Sequence, residues 1–164
     1  MLKLILCVMI IISCFCVGNW FSLRLTQRVK YLCGIISSIR RAKTLMSFSS
    51  IEALSVMGES FGSDDLLSVH FKSGSFENFK DLWDSFVSSV ASDKVLYDDD
   101  IKLLRNFGRE FGTSDTNGQV LNCDMYIKLF EEQLNSAKEE QLSKSRLYRV
   151  LGLSLGCVVG LVAL

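Results

Sequence analysis

Residues Arg105 to Gln119, RNFGREFGTSDTNGQ, gather three glycines, a Ser-Asp pair and an Asn-Gly. Such a stretch could be a calcium loop, a phosphate cradle or a corner between two helices. For calcium, setting Gly118 at the loop's invariant glycine puts Thr113 where an Asp is needed. It also puts Asp124 where a bidentate Glu is needed. A phosphate cradle requires a strand before it and a lysine after the last glycine, and neither is present. The corner fits each residue. Gly112 supplies the left-handed residue that ends one helix, and Ser114 or Asp115 caps the next. Gly108 falls inside the first helix, at about 1 kcal/mol relative to alanine. That cost points to another helix crossing closely there.

The other reactive side chains are scattered. Asp98, Asp99 and Asp100 are consecutive at a helix start, where acids favour the macrodipole and cap free N–H groups. Consecutive carboxylates in that setting do not converge on a cation. His70 is the only histidine, with no Cys or His partner near it in sequence, and is expected at a helix end. Cys7, Cys14 and Cys16 lie in one apolar end, Cys157 in the other, and Cys33 and Cys123 on helical faces. No pair has zinc spacing, and free cysteine behaves as a small apolar filler. No catalytic residue, metal ligand or cofactor site is expected.

The elements that carry these residues read as helices. The chain has 164 residues, no proline and 49% apolar residues, and proline is the strongest punctuator of loop-rich chains. Leu25, Val29, Leu32, Ile36 and Ile39 mark one helix face. Ser49 to Glu52 forms a capping box before a short helix through Met57, and Ser63 caps another short piece, residues 64–71. Phe76, Phe79, Trp83, Phe86, Val87 and Val90 mark an amphipathic helix opened by Ser75. Ile101, Leu103, Leu104, Phe107 and Phe111 mark the next. Val120, Cys123, Ile127, Phe130, Leu134 and Ala137 form a heptad seam. Its continuation, Gln141 and Lys144, is polar, so a solvated stalk is expected beyond Ala137.

Both ends are apolar: Leu4 to Gly18, and Val150 to Leu164. Extension through Phe21, and back to Leu147, brings each to the length of a membrane span. Gly152, Gly156 and Gly160 fall every fourth residue, a spacing that lets another membrane helix approach. Arg24, Arg28, Lys30, Arg40, Arg41 and Lys43 follow the first run, and Lys144, Arg146 and Arg149 precede the second. By the positive-inside rule these hold the middle in the cytoplasm, and the basic edges can touch anionic membrane lipid. Residues 50–100 carry eleven acids against three lysines, and the net charge is zero, which excludes a general nucleic-acid binder. Ile11-Ile12-Ser13-Cys14 loosely matches a lipoprotein cleavage box, but a single lysine precedes it and six basic residues would then have to cross.

The expected architecture is therefore all-α. A small antiparallel bundle over residues 22–146 lies between an N-terminal transmembrane helix, residues 1–21, and a C-terminal one, residues 147–164. FGREFGTSDTNGQ, the long helix after it and LYRVLGLSLGCVVGLVAL resemble the stage III sporulation protein AB family. The matching residues are Phe107, Gly108, Gly112, Ser114, Asp115, Gln119, Tyr148, Arg149, Leu151, Gly152 and Gly156, with Phe111 where the family has Leu. The resemblance implies a bundle of about six helices, similar to the inner-membrane platform protein of type II secretion. It implies a non-catalytic membrane platform or adaptor in the mother cell–forespore channel complex, in the mother-cell membrane around the forespore. Its implied partners are the other stage III subunits, including the secretion-type ATPase. A platform for a vegetative type II secretion or type IV pilus-like system is the alternative. The absence of an internal repeat weighs against it.

Overall fold

A computed structural model describes residues 2–48, 53–71, 78–113 and 115–162. Five helices and no strand occur among them: α1 (Leu2–Phe48), α2 (Ala53–Gly62), α3 (Phe79–Ser92), α4 (Asp98–Glu110) and α5 (Thr116–Val162). The chain divides into two compact units, Val29–Asn135, and Met1–Arg28 with Ser136–Leu164.

The unit Val29–Asn135 holds the aromatic core. Leu32, Ile35 and Ile39 of α1 are fully buried, as are Met57 and Phe61 of α2, Val87 of α3, Leu104 and Phe107 of α4, and Cys123 and Phe130 of α5. The three-four spacing that marks each helix in the sequence is thus the spacing that fills this core. Phe61 meets Trp83 edge-on at 5.1 Å and Phe86 at 5.5 Å, while Trp83 meets Phe107 at 5.6 Å. Edge-to-face aromatic pairs add about 0.5–1.5 kcal/mol each beyond the area they bury. Two ion pairs tie α1 to α5 at the rim: Arg40 with Glu131, and Lys43 with both oxygens of Asp124 at 2.6 and 2.7 Å.

The sixth helix expected over residues 64–71 is instead a run of tight turns. Asp64 Oδ1 accepts from the N–H groups of both Leu66 and Leu67, at 3.0 and 3.1 Å. The His70 N–H bonds back to the Leu67 carbonyl three residues away, so a regular four-residue ladder does not propagate. Ser63, the expected cap, is engaged by Arg41 instead. Helix α2 continues past Met57 to Gly62, with Gly58 inside it. The expected caps at Ser49, Glu52 and Ser75, and the apolar Phe76, lie outside the described residues.

In the other unit, polar side chains join α1 and α5. Ser22 Oγ and Ser145 Oγ share a buried hydrogen bond of 2.6 Å. Gln141 Nε2 donates to Thr26 Oγ1 at 2.9 Å, and Arg28 Nη1 donates to Glu140 Oε2 at 3.2 Å. Ala137, one turn before Glu140 and Gln141 on α5, is buried. The stretch beyond Ala137 is therefore not a solvated stalk. The seam changes from apolar to hydrogen-bonded contact, because α1 presents Ser22, Thr26 and Arg28 to it.

The two expected transmembrane helices require correction. Among the described residues, no helix is long and apolar enough to cross a membrane. Each apolar run belongs to a helix that continues into charged residues. In α1 these are Arg24, Arg28 and Lys30, and in α5 Lys138, Glu139, Glu140, Lys144 and Arg146. A span needs roughly 17–25 predominantly apolar residues in succession.

Candidate functional site

His70 is the residue for which sequence reasoning found no partner, and the fold supplies three. The turn after α2 brings it against Tyr31 of α1 and against Ser89 and Asp93 at the end of α3. Its Nε2 lies 3.0 Å from the Tyr31 hydroxyl and 3.0 Å from Asp93 Oδ2, and its Nδ1 lies 2.9 Å from Ser89 Oγ. The Tyr31 hydroxyl donates to Asp93 Oδ2 at 2.7 Å. The imidazole is almost wholly buried, at 9% exposed. No spacing rule could have found this group, since its members are separated by up to 62 residues.

Serine, histidine and aspartate in contact raise the question of nucleophilic catalysis, and the surroundings answer against it. Ser89 sits within α3, where backbone N–H groups are spent on the carbonyls four residues back. None is left to stabilise an oxyanion beside it. Asp93 is occupied by the Tyr31 hydroxyl as well as by His70. Burial, and then the Asp93 hydrogen bond and charge, push the Tyr31 phenol up to about 12, so it does not exchange protons near neutrality. The group is a polar tie linking α1, the turn and α3. Its hydrogen bonds are satisfied internally, as buried polar groups require.

The other candidate residues are likewise structural. Burial, and then the Asp124 charge, push the Cys123 thiol up to about 12, against a smaller opposing effect of Lys43. A thiol held protonated is a poor nucleophile. Among the described residues no three His, Cys, Asp or Glu side chains come together as metal ligands. Asp100, fully buried, accepts from the Tyr97 N–H at 3.0 Å, a reach-back cap at the start of α4. Asp99 pairs with Lys102 at 3.0 Å on the exposed side.

The corner between α4 and α5 shows what its glycines do. At Gly108 an added Cβ would stand 2.0 Å from Trp83 Cδ1, so the helix accepts the cost of glycine to let the indole of α3 lie against its backbone. Trp83 Nε1 donates to the Leu104 carbonyl at 3.0 Å, which fixes the ring there. Gly112 has φ 83° just beyond α4, a conformation that costs an L side chain about 1–2 kcal/mol. Asp115 Oδ1 accepts from the Gly118 N–H at 3.1 Å at the start of α5. Ser114 lies outside the described residues.

With these positions in place, the family comparison can be set beside the geometry. The family model for Stage III sporulation protein AB (spore_III_AB) matches residues 3–164. The chain belongs to the stage III sporulation protein AB family. No curated protein and no solved structure matches it. Membership supports a role in sporulation and participation in a sporulation complex.

Several residues that carried the resemblance to stage III sporulation protein AB have physical roles here. Phe107 is fully buried. Gly108 seats Trp83, Gly112 turns the chain, and Asp115 caps α5. Tyr148 packs against Phe21, ring centroids 5.7 Å apart. Gly152, Gly156 and Gly160 lie on α5, but their surroundings are outside the described residues. Two expectations attached to the resemblance are overturned with the transmembrane helices. These are the membrane platform role, for either the sporulation or the vegetative system, and the two-span location in the mother-cell membrane. Both need a spanning helix, and the described residues contain none.

Proposed function

We propose that this protein is a non-catalytic helical subunit of the stage III sporulation complex, and that the secretion-type ATPase of that complex is its partner there. The observation that carries the reading is the family match over residues 3–164. Two features support it. The His70 group is spent on holding helices together. The chemistry of the corner is equally spent, on a close helix crossing and on a cap. What such a chain offers to other molecules is its surface.

Residues 22–146 are the segment proposed to make the contact, because they carry the charged surface of the chain. The test is cross-linking followed by affinity purification of the tagged full chain from sporulating cells. The expected result is recovery of the ATPase, with cross-links that map to residues 22–146. Recovery of other stage III subunits without the ATPase would retain the complex and remove this partner. Recovery of neither would sink the proposal.

A further inference from the structure

In the unit Val29–Asn135, α5 turns one side to the core and the other to solvent. Cys123, Tyr126, Ile127, Phe130 and Leu134 fill the core side. At 3.6 residues per turn, Leu121, Met125, Lys128 and Glu132 fall on the opposite side. Charged or polar residues are the rule there, yet Leu121 is 70% exposed and Met125 46%. Lys128 and Glu132 are exposed as well. The ion pairs from α5 to α1 run through Asp124 and Glu131 instead. The outer side of α5 is thus an apolar pair followed by a cation and an anion one turn apart.

A groove with the complementary pattern lies on the same unit. Val29, Lys30 and Cys33 of α1 form one wall, and Asp64, Asp65 and Leu66 of the turn after α2 form the other. The groove takes in about 470 Å³. Val29, Cys33 and Leu66 make it apolar, and all three reach solvent. Lys30 is an exposed cation on one lip and Asp65 an exposed anion on the other. Asp64 spends Oδ1 on the Leu66 and Leu67 N–H groups. Its Oδ2 lies against Gly34, where a Cβ would stand 3.0 Å away, so glycine is what lets the acidic lip sit close to α1.

We propose that this groove receives the outer side of α5 from a second copy of the chain. Leu121 and Met125 enter between the walls, against Val29, Cys33 and Leu66. Lys128 meets the acidic lip and Glu132 meets Lys30. The occupant is identified by charge, because an apolar centre between lips of opposite sign selects an apolar pair flanked by both signs. A copy does not fill its own groove, since the core side of its α5 holds the stripe facing away. Groove and stripe are different surfaces. Two copies therefore engage both pairs at once or pass one on to a third copy. A patch this small falls below the roughly 1,200 Å² of a stable interface, so the contact depends on concentration and strengthens where copies are held together. None of this rests on the sporulation reading.

The test is disulfide trapping in the purified full chain, with Met125→Cys set against the native Cys33 of the groove. A disulfide needs Cα atoms within about 7 Å, so it forms between copies only where the stripe enters the groove. Mild oxidation should give covalent multimers in which peptide mapping joins Cys33 to the introduced thiol. Adding Cys33→Ser should abolish that product. Ser88→Cys, on the exposed side of α3, should not form it. Lys128→Glu should lower the yield at fixed concentration by about tenfold, as a like-charge contact replaces an attraction. Asp65→Lys in the same chain should restore it. Products that stop at two copies support a reciprocal pair, and a ladder supports an open array; both contain the contact. The proposal is overturned if no product is linked through Cys33, if Ser88→Cys gives an equal yield, or if charge reversal is not rescued. It is also overturned if Met125→Cys in cells links to a different protein and never to a second copy, which would give this side of α5 to that protein.

Discussion

At the residue scale, Gly108 and Trp83 form a matched pair. The indole occupies the space a side chain would need, with an added Cβ only 2.0 Å from the ring. Gly108→Ala gains about 1 kcal/mol of helix propensity but forces a ring that is hydrogen-bonded to Leu104 out of place. Overpacking of this kind costs about 1–3 kcal/mol, sometimes more. The expected net effect is a loss of up to about 2 kcal/mol, read from the urea midpoint with unchanged slope. A midpoint equal to the parent's would show that the helices do not cross this closely.

Tyr31 gives a second prediction at this scale. Burial, and then the Asp93 carboxylate, hold its phenol up at about 12 in the folded chain, above the roughly 10 of an ordinary tyrosine. Below pH 10 both states hold the proton, and the stabilisation is fully present. Between pH 10 and about 12 only the unfolded state releases it, so stability falls as pH rises. Tyr126 is pushed up to about 12 by burial and then by Glu110, and adds to the same slope. Tyr31→Phe should flatten part of the alkaline loss, measured as denaturant midpoint against pH from 9 to 12. At neutral pH the same variant loses a hydrogen bond to a carboxylate, at a cost of about 1.5–3 kcal/mol. An unaltered alkaline slope would mean that burial and Asp93 do not raise the Tyr31 phenol.

At the scale of the element, the three aspartates at the start of α4 are not equivalent. Asp100 is fully buried and accepts from the Tyr97 N–H, whereas Asp98 and Asp99 are exposed. Asp100→Ala should lower stability by about 1–2 kcal/mol, the range for loss of a helix cap. Asp98→Ala and Asp99→Ala should leave the midpoint nearly unchanged. Equal effects at all three positions would argue for a shared electrostatic role and against a single cap. The same scale explains the missing sixth helix. Asp64 accepts from the Leu66 and Leu67 N–H groups as a helix cap does, but the ladder tightens within one turn to the three-residue bond from His70 to Leu67 and ends there.

At the scale of the whole molecule, family membership places the chain in sporulation. Deletion in the source organism should leave vegetative growth normal and halt spore formation after engulfment, scored by microscopy and heat-resistant spore counts. A growth defect with normal spore yield would contradict that placement.

The sequence by itself determined the helical class, most of the core and the family. Periodicity along a helix is a local property, and a motif such as FG-x-x-FG-x-SD can be read from neighbouring residues. It also pointed to Gly108 as a place of close approach and to Ser114 or Asp115 as a cap, because glycine inside a helix and Ser or Asp before one each have a local cost or benefit. Only the tertiary structure decided the rest. The Tyr31–His70–Ser89–Asp93 tie joins residues far apart in the chain, and no spacing encodes such a meeting. The polar seam beyond Ala137 looked like a solvated surface until α1 supplied Ser22, Thr26 and Arg28 opposite it. Likewise, the apolar ends suggested spans when read as isolated runs. Among the described residues no helix is long and apolar enough to cross a membrane, and a span needs that length in consecutive apolar residues.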